Sequence, residues 1–157
     1  MKEIVERLFM AIRNGNVDEI NNLVTEDPSL IHMKDQRGST PLILATYYEH
    51  GDVAQLLLDK GADIDGIDGT GNSALMGVCF KGFTALAKNL MDKGANVNII
   101  NSMGATALIY TAMFNKVEIA KMLLDHGADL DVKDARGHTA YDHAKMQGNT
   151  ELMALLQ

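Results

Sequence analysis

His138, Asp142 and His143 are the residues whose types and spacing come nearest to doing chemistry. Imidazoles and a carboxylate four or five residues apart can in principle hold zinc or relay a proton. Their placement argues otherwise. His138 falls at a variable turn position, and Asp142 and His143 are neighbours on a helix, where consecutive side chains point in different directions. Cys79 is the only thiol; its stretch of chain contains no His to serve as a base, so it reads as an inert buried group. The segment Gly66–Gly71 is glycine-rich, yet it lacks the following Lys-Ser/Thr and the preceding strand of a phosphate-binding loop. No catalytic, cofactor-binding or metal-binding residue is assigned, and the chain is not expected to be an enzyme.

What positions these residues is a repeat. An Asp/Asn-x-x-Gly tetrad recurs every 33 residues, at Asp35/Gly38, Asp68/Gly71, Asn101/Gly104 and Asp134/Gly137, and a period of that length marks a stacked array. The acid or Asn accepts from downstream amides and the Gly takes positive φ, which makes a turn. Thr40, Ser73, Thr106 and Thr139 then stand where a helix N-cap is needed, with Pro41 suited to a first helical position. Leu42, Leu75, Leu108 and Tyr141, followed three residues on by Ala45, Val78, Thr111 and Ala144, mark the buried face of a first helix. A second helix follows with inward columns Val53/Leu86/Ile119/Leu152, Ala54/Ala87/Ala120/Met153 and Leu57/Leu90/Leu123/Leu156. Lys60, Lys93 and His126 oppose its negative end, and Gly61, Gly94 and Gly127 supply its left-handed stop.

Composition agrees with a folded chain: 46% of residues are hydrophobic and 22% charged, enough for a core and too little charge for disorder. The net charge of −7 gives no general attraction to nucleic acid or anionic membrane. The first twelve residues interleave Lys2, Glu3, Glu6 and Arg7 with apolar ones, unlike a signal peptide, and one Cys fits a reducing compartment. A cytoplasmic location is expected.

The segments Gly61-Ala62-Asp63-Ile64-Asp65, Gly94-Ala95-Asn96-Val97-Asn98 and Gly127-Ala128-Asp129-Leu130-Asp131, together with Ser39-Thr40-Pro41-Leu42, resemble the ankyrin-repeat family. The resemblance implies an all-α solenoid of stacked helix-turn-helix units with finger turns or short β-hairpins between them. It implies a single domain over 1–157, with an N-terminal capping repeat at 1–34, full repeats at 35–67, 68–100 and 101–133, and a C-terminal capping repeat at 134–157. Two departures stand out. Ile43, Met76, Ile109 and Asp142 occupy the position where the family usually has His, so apolar packing is expected to replace His-mediated hydrogen bonds. Between the two helices the family favours Gly, as at Gly82 and Gly148; Asn115 suits the left-handed region, whereas Glu49 does not, and Gly51 is expected to absorb the strain.

The resemblance also implies where partners bind: a concave groove lined by turn tips and by two positions near the end of each first helix. Carried over residue by residue, these are Arg13, Tyr47, Phe80, Met113 and Met146 in one column, Tyr48, Lys81 and Phe114 in the next, and Arg37 and Met103 at the turns. Large apolar side chains facing solvent in such a row are the kind enriched at interface centres. The implied role is a non-catalytic protein-protein interaction module, monomeric, without cofactor, nucleic acid or membrane as partner. The alternative is a structural protein that self-associates by stacking Leu152, Leu155 and Leu156 of its last unit against another chain.

Overall fold

A computed structural model describes residues 1–157. It holds ten α-helices and no strand: α1 (Lys2–Asn14), α2 (Val17–Glu26), α3 (Pro41–Tyr47), α4 (Gly51–Asp59), α5 (Ala74–Lys81), α6 (Thr84–Asp92), α7 (Ala107–Met113), α8 (Val117–Asp125), α9 (Ala140–Gln147) and α10 (Thr150–Leu155), with a 3₁₀ turn at Pro28–His32. This is the expected all-α solenoid. The helices alternate between two rows, α1, α3, α5, α7 and α9 packing side by side in one and α2, α4, α6, α8 and α10 backing them. One continuous apolar core runs from Leu8 to Leu156 between the rows. No helix pair closes a core of its own, so each depends on its neighbours.

Local sequence explains the helix ends. The side-chain oxygens of Thr40, Ser73, Thr106 and Thr139 accept from the backbone N–H three residues on, at Ile43, Met76, Ile109 and Asp142. Pro41 opens α3 as the sequence predicts. At α9 the Asp142 carboxylate also accepts from the Thr139 amide, closing a capping box. Gly61, Gly94 and Gly127 follow the second helices with φ of 96°, 88° and 88°.

The strain expected at Glu49 is not absorbed by Gly51. Glu49 itself takes φ 60°, as Asn115 does at 59°, while Gly51 is the first residue of α4. The chain must reverse within one residue between α3 and α4, and that residue is Glu49 whatever follows it.

The turns between helix pairs are built to one plan. In each, the leading Asp or Asn spends one side-chain oxygen on two amides: Asp35 accepts from Arg37 and Ser39, Asp68 from Thr70 and Asn72, Asn101 from Met103 and Ala105, Asp134 from Arg136 and His138. Successive turns are then tied by a single backbone hydrogen bond, Gly69 N–H to Arg37 O, Ser102 N–H to Thr70 O and Ala135 N–H to Met103 O. Of the short hairpins anticipated, one isolated antiparallel bridge forms, between Ile67 and Ser73. Gly38 is needed twice over: its φ is 77°, and a Cβ there would sit 2.7 Å from the amide nitrogen of Gly69 in the next turn. Gly137, with φ 82°, has nothing within 4 Å of such a Cβ, because no further turn packs on it.

Candidate functional site

The row of first helices and the turn tips enclose an open groove of about 1400 Å³ that runs from α1 across α3 and α5 to Tyr110 of α7. Six of the residues predicted from sequence line it: Arg13, Arg37, Tyr47, Tyr48, Phe80 and Lys81. Their aromatic rings face solvent, with Tyr47 and Phe80 each 50% exposed. Thr46 and Cys79, one residue before them on the same helices, are fully buried. Helical geometry thus turns the column outward by one position.

The rings are organised. Tyr47 and Tyr48 meet edge to face at 5.3 Å, and the Lys81 ammonium lies 4.5 Å from the Tyr47 ring centroid. Phe80 meets Phe114 at 4.8 Å and Tyr110 at 6.0 Å, again edge to face. Tyr110 is held in turn, its hydroxyl accepting from Asn101 Nδ2 at 2.7 Å. Phe114 therefore joins the site through Phe80, although it lies outside the groove itself.

The remaining predicted residues fall elsewhere. Met113 is half-buried against the core, which corrects its place in the exposed column. Met103 and Met146 are exposed but lie away from the groove, on the third turn and at the end of α9. The exposed apolar column is thus interrupted at Met113.

Sequence reasoning missed Gly77, Tyr110, Lys2 and Met10, all of which line the groove. Gly77 sits inside α5 at the position that is Leu44, Tyr110 and His143 in the other first helices. An added Cβ there would meet nothing within 4 Å, so its absence leaves a notch in the groove wall. The signal was present as a glycine inside a helix, where it costs about 1 kcal/mol relative to Ala. Charge is also uneven. Lys2, Arg13, Lys34, Arg37 and Lys81 line the groove against Glu6, Asp35 and Asp68, a basic balance within a chain of net charge −7.

The residues singled out for chemistry are placed as follows. Cys79 is fully buried in α5, and burial pushes its thiol up to about 12. In the Gly66–Gly71 segment the Gly66, Gly69 and Gly71 amides donate to Asp63, Arg37 and Asp68 carbonyls, leaving none of the three to cradle an anion. Asp142 is drawn into the helix cap, where the Thr139 amide holds its carboxyl below the usual range. Asp134 takes its place in the cluster. His143 Nε2 lies 2.7 Å from Asp134 Oδ2, and the His138 and His143 rings meet edge to face at 5.4 Å. Burial raises the Asp134 carboxyl, but the His138 amide and the His143 imidazole outweigh it and bring it below its ordinary value.

The family described as Ankyrin repeats (3 copies) matches residues 8–101 and 75–157 of this chain. The chain is similar to mouse (Mus musculus) Ankyrin repeat and SAM domain-containing protein 6, 36% identical over 76 residues, which are 48% of this chain and 9% of that protein. It is similar to the Probable E3 ubiquitin-protein ligase XBOS33 of Oryza sativa subsp. japonica, 37% identical over 78 residues, 49% of this chain and 15% of the relative. It is similar to the Homo sapiens NAD-capped RNA hydrolase NUDT12, 27% identical over 82 residues, 52% of this chain and 18% of the relative. The matched stretches thus span about half of this chain and less than a fifth of each curated relative. No helix is long and apolar enough to cross a membrane.

Proposed function

The chain belongs to the ankyrin-repeat family, whose repeats are generally non-catalytic protein-protein interaction modules, and from that premise we propose that it captures a segment of another protein in the groove between α1 and α7. In this reading it is one domain over 1–157, its outer units 1–34 and 134–157 capping the full repeats at 35–67, 68–100 and 101–133. The observation that carries the proposal is the cluster of exposed rings, Tyr47, Tyr48, Phe80 and Phe114, on a face that the fold does not need to cover. Burying one large apolar side chain contributes roughly 1.5–3 kcal/mol, so two or three suffice to anchor a segment. The basic lining favours an acidic segment, and the notch at Gly77 suits one large apolar side chain among its acids.

Selection of a displayed random peptide library on the intact chain tests this. Binders rich in Asp and Glu around an aliphatic or aromatic residue are expected, and their capture should be lost in Phe80→Ala/Phe114→Ala and in Gly77→Leu. The same variants should keep a near-normal melting temperature, since the rings are half exposed; Leu57→Ala, in the core, should lose about 2–5 kcal/mol. Binding that survives the ring substitutions would place the site elsewhere.

The self-association reading is less well supported. Leu152 and Leu156 are buried against their own core and Leu155 is half-buried, so little of that face is left for another chain. A monomer is the expected state.

A further inference from the structure

We propose that Asp134, His138 and His143 form a binding site for one divalent transition-metal ion of the zinc, cobalt or nickel class. The ligand atoms of these three residues all lie within 4.8 Å of one another. Ligands 2.0–2.2 Å from a tetrahedral zinc are separated by roughly 3.3 Å. The ion would therefore push the Asp134–His143 pair, now 2.7 Å apart, slightly open and draw His138 inward, movements within the reach of side-chain rotation.

The surroundings favour the charge state that such an ion requires. The neighbouring amides and imidazole hold the Asp134 carboxyl below its ordinary value despite its burial. Asp134 Oδ1 is pinned by the Arg136 and His138 amides, which aims Oδ2 at the imidazoles. Its side chain and that of His143 are 12% and 13% exposed, so water competes weakly. Two nitrogens and one oxygen suit zinc-like ions; calcium and magnesium prefer a shell of oxygens. The ion would take the place of the proton at His143 Nε2, the imidazole carrying its one N–H on Nδ1 instead, and would leave coordination positions for water or for a donor group of a bound partner.

The repeat scaffold does not by itself call for this set. Every turn uses one side-chain oxygen of its leading Asp or Asn on two amides, and that use is complete without the histidines. At the positions of His138 and His143 the other turns carry Ser39 and Leu44, Asn72 and Gly77, and Ala105 and Tyr110. Three ligating side chains therefore coincide in the last turn alone.

The test uses the full chain, freed of any affinity tag and of metal by chelation. It is titrated with Co²⁺ followed by visible absorption, then with Zn²⁺ in competition, while the His ring signals are watched by NMR. One ion per chain is expected, shifting His138 and His143 and leaving His32, His50 and His126 in place. Asp134→Asn, which keeps the amide-accepting oxygen as Asn101 does, and His138→Gln should each weaken binding at least about tenfold; His126→Gln should not. Zn²⁺ should raise the melting temperature of the wild type and not of Asp134→Asn. Binding weaker than about 1 mM, or binding that Asp134→Asn and His138→Gln both leave within twofold, would overturn the proposal.

Discussion

His143 stands to Asp134 as Tyr110 stands to Asn101: in both cases the residue nine positions on, in the following helix, bonds the side-chain atom that the turn leaves free, at 2.7 Å in each. The turn consumes one oxygen of its leading residue, and the other atom is available to tie the turn to its helix.

That division of labour predicts a difference between two substitutions of one residue. Asp134→Ala leaves the amides of Arg136 and His138 without their acceptor and should cost roughly 1–3 kcal/mol in urea unfolding. Asp134→Asn keeps that acceptor and loses only the contact with His143, so it should cost less than about 1.5 kcal/mol. Equal costs would show that the pair with His143, not the turn, carries the stability.

Glu49 is held in the left-handed region at φ 60°. Replacing it by Gly removes a steric cost of roughly 1–2 kcal/mol at that position, while the more flexible unfolded chain takes some of it back. Glu49→Gly and Glu49→Asn are therefore expected to raise the melting temperature by a few degrees, and a fall in either would mean that the Glu49 side chain makes an offsetting contact.

Gly38 and Gly137 have nearly the same backbone angles and different surroundings. Both Gly→Ala variants pay the left-handed penalty of about 1–2 kcal/mol. Only Gly38→Ala also drives a Cβ against the Gly69 amide at 2.7 Å, which must displace the next turn. Denaturant midpoints should rank wild type above Gly137→Ala above Gly38→Ala.

Cys79 gives a pH dependence. Burial raises its thiol from 9.0 to about 12. An acid whose folded value is raised favours folding fully below the unfolded value, and that favour is lost as pH climbs toward the folded one. Above pH 9 the wild type should therefore lose up to about 1.4 kcal/mol per pH unit more than Cys79→Ala, measured as the difference between the two in urea unfolding at pH 8 to 11. Parallel curves would show that the thiol ionises as readily folded as unfolded. Ala112 fills the corresponding position of α7, so the substitution should fold.

Much of this was legible in the chain because it is written locally. Thr40, Ser73, Thr106 and Thr139 each cap a helix using an amide three residues away, and a period of 33 makes each device visible four times. What escaped depends on contacts across elements. The nine-residue reach from Asp134 to His143 spans the boundary of turn and helix, so Asp142, the nearer carboxylate, looked like the partner. The half-burial of Met113 depends on how α7 packs against its neighbours, and the groove's extension to Lys2 and Met10 on how α1 lies beside α3. Glu49 differs for another reason: at a one-residue reversal the geometry of the chain outranks the preference of the residue that occupies it.

The single amide-to-carbonyl tie between successive turns has a mechanical consequence. Pulled from its two ends, a stack in which each unit is fastened only to its neighbours, by this rung and by the shared apolar core, should not rupture as a block; it should peel unit by unit, each step releasing a similar length of chain. A spring of that kind can yield and recoil without passing through a fully unravelled state.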